Sequence, residues 1–168
     1  MVPACIYEGD TIPSLHMPIL YVFKPLIFKN KREQQSYNRL VRNVKRTLPI
    51  AKEVNRAIIE TYEFLQTLPD EKARQKHLNL VEKSVKEQYT PRLKKLSFSQ
   101  GKLLIKLINR ETDSSSYELV KAFLGSFKAG FYQTFAALFG ASLKKEYHPD
   151  GEDALTERIV ILVENGQL

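Results

Sequence analysis

The chain has 168 residues, of which 43% are hydrophobic and 27% charged, with one cysteine, no tryptophan and a formal net charge of +7. That size and balance suit one domain that buries its own core and exclude wholesale disorder, and the lone Cys5 excludes an intramolecular disulfide framework. The charge is uneven: Lys24, Lys29, Lys31, Arg32, Arg39, Arg42, Lys45, Arg46 and Lys52 are opposed over their stretch by Glu33 alone, so this segment holds the whole excess, an asymmetry that points to an anionic partner.

The N-terminus, "MVPACIYEGD", has no apolar run of the kind a signal peptide needs, and "VPAC" lacks the run that would make it a lipoprotein cleavage site, so no signal peptide is expected in the chain as given. Residues 1–30 read as an extended or β element. "CIY" and "ILYVF" are β-branched and aromatic, Glu8-Gly9-Asp10 is a turn signal, and Pro13, Pro18 and Pro25 exclude a helix and confine any strand to an edge.

From about Lys31 the period changes. Tyr37, Val41, Val44, Leu48, Ala51, Asn55, Ile58, Tyr62 and Leu65 alternate steps of four and three, an apolar seam with one polar break. Pro49 is expected to kink or split this helix near Thr47. "LPDEK" ends it and starts the next, over about 71–96, with Leu78, Val81, Val85, Tyr89 and Leu93 as its apolar side and a bend at Pro91. The short connection predicts a long, bent, antiparallel helical hairpin over 31–96.

Shorter helices follow over 97–168. Ser97 with Gln100 forms a capping box before "GKLLIKLINRE", and Ser115 with Glu118 forms another before "YELVKAFLG". "FKAGFYQTFAALFGASL" is the most apolar helix, yet it falls short of the roughly 18–20 apolar residues of a membrane span, and Tyr132, Gln133 and Thr134 interrupt it. The expectation is one mainly α domain over 1–168.

Two groups of residues are candidate sites. His148, Asp150, Glu152, Asp153 and Glu157 crowd acids and a histidine together, as a metal site or an acid/base pair requires. Capping accounts for them more simply: Asp150 as N-cap, with Glu152 and Asp153 in the positive first turn. An EF-hand starting at Asp150 fails at Ala154 and Ile161, and His16, His77 and His148 each stand alone, so there is no His-x-x-x-His pair for zinc. No metal, cofactor or catalytic residue is expected, and the phosphate-binding and nucleophile motifs are missing. The stronger candidate is Arg32, Arg39, Arg42 and Arg46, which fall within about 80° of one another on a helix of 100° per residue, nearly opposite the apolar seam. Such a stripe suits phosphates or other polyanions.

The strings "GDTIP", "FKNKREQQSYNRLVRNVKRTLPIAKEV", "QGKLLIKLINRET", "SSYELVKAFLGSFKAGFYQTFAALFGASLKKEY" and "DGEDALTERIV" together resemble an uncharacterised bacterial domain-of-unknown-function family over nearly the whole chain. The resemblance implies no known activity or cofactor. It implies an exported, periplasmic location, since similar proteins carry a secretory signal ahead of the "GDTIP" region. The functional expectation is a non-catalytic envelope or protein-interaction module. The alternative is a binder of an anionic polymer (acidic lipid, glycan or nucleic acid, the last an implausible ligand for an exported protein), and a hydrolase centred on His148 and Asp150 is a distant third.

Overall fold

A computed structural model describes residues 3–15, 17, 19–113 and 147–168. They form a hairpin of β1 (Ala4–Tyr7) and β2 (Asp10–Pro13) and the helices α1 (Lys31–Gln66), α2 (Glu71–Leu93), α3 (Phe98–Asp113) and α4 (Ala154–Glu164). The protein is mainly α with a small N-terminal hairpin. The expected cap at Ser115 and the apolar helix over 127–143 lie outside the described residues.

The hairpin pairs Tyr7 with Asp10 across Glu8 and Gly9, both at positive φ (51° and 92°). A two-residue loop with that conformation matches the right-handed twist of its strands, and glycine adopts it freely. Both strands are exposed throughout.

Asn30 caps α1, accepting the Glu33 N–H at 2.9 Å, while the Glu33 carboxylate reaches back to the Lys29 N–H at 2.7 Å. The helix runs unbroken through Pro49, so the expected split near Thr47 does not occur. Two features accommodate the proline. It is exposed, so the carbonyl left without a donor one turn earlier faces water, and buried residues on both sides hold the helix to its neighbours. The buried stripe is Val44, Thr47, Leu48, Ala51, Val54, Ile58, Thr61 and Leu65. It therefore passes through Val54, not Asn55, because a helix of 3.6 residues per turn drifts from a strict seven-residue repeat. Asn55 is half-buried, with a buried side-chain oxygen lacking a hydrogen-bond partner. The buried threonines are satisfied locally: Thr47 and Thr61 donate to the carbonyls of Asn43 and Ala57 at 2.8 and 2.6 Å.

α2 returns along α1 in the antiparallel sense. Phe64 meets His77, Glu53 pairs with Arg92, and Arg46 reaches the carbonyl of Lys95. Its C-terminal end enters the core through Tyr89 and Leu93, with Val81 partly buried. Among the described residues α1 packs most extensively on α3, which contributes Leu103, Leu104, Leu107 and Ile108, and then on α4, which contributes Ile159 and Val160. Ser97 and Gln100 form the reciprocal capping box that opens α3, with bonds of 3.0 and 3.3 Å.

Candidate functional site

Three surfaces among the described residues carry candidate chemistry. The first is built where α3 meets the start of α4. Lys106 and Arg110 are four residues apart on α3, so they share a face; Asp153 and Glu157 are likewise four apart at the start of α4. The pairs meet in register, so the two helices run in the same sense. Lys106 Nζ donates to both oxygens of buried Asp153 at 2.7 and 2.8 Å and to Glu152 at 2.7 Å. Arg110 makes a forked contact with Glu157, Nε and Nη2 donating at 2.7 and 2.8 Å, and also bonds Glu111 at 2.7 Å and Glu164 at 3.3 Å. The Tyr147 hydroxyl donates to Glu157 at 2.7 Å, and Lys52 of α1 pairs with Glu164 at 2.6 Å.

Burial alone would favour the neutral forms of Lys106 and Arg110, but their carboxylate partners outweigh it and raise both pKa values. Burial pushes the Tyr147 hydroxyl up, and its bond to Glu157 pushes it further. Burial would also push Glu157 up, but the donors Arg110 and Tyr147 outweigh it and hold Glu157 below the ordinary carboxylate value. These shifts move each group away from neutrality, whereas acid/base catalysis works best with a group that titrates near the working pH.

This geometry corrects the capping assignment. The N-cap position of α4 is Asp153, not Asp150, and its carboxylate makes no cap bond because it is taken up by Lys106 and the His148 N–H. Asp150 is exposed in the preceding turn, and His148 joins the network only through its backbone. Glu152, Asp153 and Glu157 are thus brought together, with His148 and Asp150 beside them. Among the described residues no group of three or more His, Cys, Asp or Glu is placed to hold a metal ion. Sequence reading did not connect Lys106, Arg110 or Tyr147 with these acids, although the matched four-residue spacing of cations and acids was a usable signal.

The second surface is the arginine face of α1. Arg32, Arg39, Arg42 and Arg46 are all exposed. Arg46 donates to the Lys95 carbonyl at 3.1 Å, at the C-terminal end of α2. Among the described residues no carboxylate pairs with any of the four, whereas Arg74 and Arg92 each have one and Arg110 has three.

The third is a strap, residues 19–28, laid across α1 and α4. Gln167 clamps it by accepting the Tyr21 N–H and donating to the Tyr21 carbonyl, both at 3.0 Å. Arg158 donates to the Lys24 carbonyl at 2.7 Å and covers the Phe23 ring at 4.9 Å. Phe28 packs on Tyr37 with ring centroids 5.4 Å apart. With Phe23 and Phe28 turned inward, Val22 and Ile27 are left 93% and 90% exposed, alongside exposed Ile19 and Leu20.

Fold and surfaces together define a mainly helical structure with a stapled polar cluster, an exposed cationic helix face and an apolar strap. The chain belongs to the DUF4294 family, described as a domain of unknown function, whose model matches residues 10–162. No curated protein and no solved structure matches it. Among the described residues no helix is long and apolar enough to cross a membrane.

Proposed function

We propose that the chain is a non-catalytic interaction module of the cell envelope that meets its partner through the strap. The observation that carries this reading is the exposure of Ile19, Leu20, Val22 and Ile27 on a segment whose backbone and aromatic residues are tied down by Gln167, Arg158 and Tyr37. Contiguous exposed apolar side chains on a folded scaffold mark a binding surface. The fixed-charge network of Lys106, Arg110, Asp153 and Glu157 supports a structural use of this acid-rich cluster. The envelope placement rests on the resemblance of the chain's motifs to exported proteins. The test is a photo-crosslinking residue placed at Val22 or Ile27 in living cells, with exposed Leu80 of α2 as control. A discrete adduct from the strap positions and none from Leu80 is expected; equal labelling from all three contradicts the reading.

A second reading, binding of an anionic polymer along α1, is favoured by the exposure of Arg32, Arg39 and Arg42 without acidic partners. Replacing Arg39 and Arg42 by alanine should then weaken binding and flatten the salt dependence by about 0.9 for each duplex phosphate no longer neutralised, or about 0.7 on single strands. An unchanged salt slope excludes it.

A further inference from the structure

We infer that residues 19–31 dock on the surface of an anionic lipid bilayer. The inference rests on the reading of the strap as the partner-facing surface and names the partner. It is carried by the combination of fixed apolar side chains with one sign of charge. Val22 and Ile27 project from a backbone held by Gln167 and Arg158, so their exposure is built in by the clamp. Lys24, Lys29, Lys31 and Arg32 lie among and beside them, all exposed. No acid occurs between Asp10 and Glu33. Glu33 itself is occupied at the start of α1, where its carboxylate accepts the Lys29 N–H at 2.7 Å.

An apolar strip bordered by cations complements a surface that is apolar beneath and anionic at its rim, as an acidic bilayer is. A small anion would use the lysines and leave the apolar residues without a role. A protein that adds a strand needs free backbone groups, but Pro25 has no N–H to offer and Tyr21 has both its backbone groups engaged. The apolar surface continues beside the strap into a cleft of about 240 Å³ lined by Leu26, Ile27, Phe28, Tyr37, Leu40 and Leu155, with the polar Glu33 and Ser36 also in its wall. This surface borders the arginine face at Arg32 and leaves out its other members: Arg39 and Arg42 lie roughly 10–15 Å further along the axis of α1 than Arg32.

The test is binding of the full chain to vesicles of phosphatidylcholine with and without about one-third phosphatidylglycerol, a composition that supplies the negative surface potential. Binding is expected only with the anionic lipid. Lys29→Gln with Lys31→Gln should weaken it about 25-fold, near fivefold for each cation, and Val22→Ser with Ile27→Ser at least about tenfold. Arg39→Gln with Arg42→Gln should change it by less than about twofold, because those residues sit outside the docking surface. The chain has no tryptophan, so Val22→Trp gives a probe without background. Its emission should shift to the blue on anionic vesicles, while that of Phe98→Trp on α3 should not. Absence of binding, absence of the shift at position 22, or a greater effect in the Arg39/Arg42 variant overturns the lipid assignment. A protein adduct from Val22 together with no vesicle binding overturns it too, yet leaves the interaction-module reading standing.

Discussion

Arg110 ties α3 to α4 through its carboxylate partners. It is largely buried and bonds carboxylates of its own helix and of α4, two of its bonds forming a fork on Glu157. Removing one partner of such a pair leaves uncompensated charge in a poorly hydrated site. Arg110→Met is therefore expected to cost about 3 kcal/mol, the low end for breaking a buried pair, measured by urea unfolding. Asp150→Ala, at an exposed turn position with no bond to lose, should stay within about 0.5 kcal/mol. The pH dependence follows from the same group of residues. The folded-state pKa of Glu157 is held below its ordinary 4.5, so its contribution to stability is complete above that pH and is lost as pH falls through the lower folded value. Tyr147 and Lys106 are shifted upward, so their contributions are complete below about 10 and are lost as pH climbs through their raised folded values. Unfolding curves from pH 7 down to pH 3 should show the acid loss in the wild type and a shallower one in Glu157→Gln.

Helix ends were the most legible elements because their chemistry is local. The Ser97–Gln100 box forms as the spacing implies, and Ser97→Ala should cost about 1 kcal/mol in thermal or urea unfolding. The apolar stripe of α1 was legible too, since Val44, Leu48, Ala51, Ile58 and Leu65 all reach the core. Its middle was misread by one position, Asn55 for Val54, because periodicity fixes a face only to within a fraction of a turn. Asp150 was misread as the cap of α4 for a related reason. A strong capping residue marks a boundary only when no competing partner claims the carboxylates nearby, and Lys106, forty-seven residues before Asp153, does claim them. The pairing of α1 chiefly with α3 was not legible at all. Several amphipathic helices present interchangeable apolar faces, and the choice among them is made by side-chain volumes and by long-range pairs such as Asn43 with Gln100.

Across the whole molecule, the segment rich in β-branched and aromatic residues and the segment rich in charge were visible in the sequence, but their relation was not. A run such as "ILYVFKPLIF" reads alike whether it is buried in a sheet or held on the outside. Only the clamps from Gln167 and Arg158, near the far end of the chain, turn Phe23 inward and leave Val22 outside. The arginine face was predicted as a solvent-facing stripe, and all four of its members are exposed. The central claim is that the strap's outward side chains serve a partner and not the fold. Replacing Val22 and Ile27 together by serine and measuring both the unfolding free energy and the strap crosslink in cells tests that claim most directly. Stability should be unchanged to within about 0.5 kcal/mol, as for surface positions, with the adduct from a probe at Ile19 abolished. A loss of about 2 kcal/mol or more, of the size seen when buried side chains are cut back, or an adduct that persists in the double variant would contradict it.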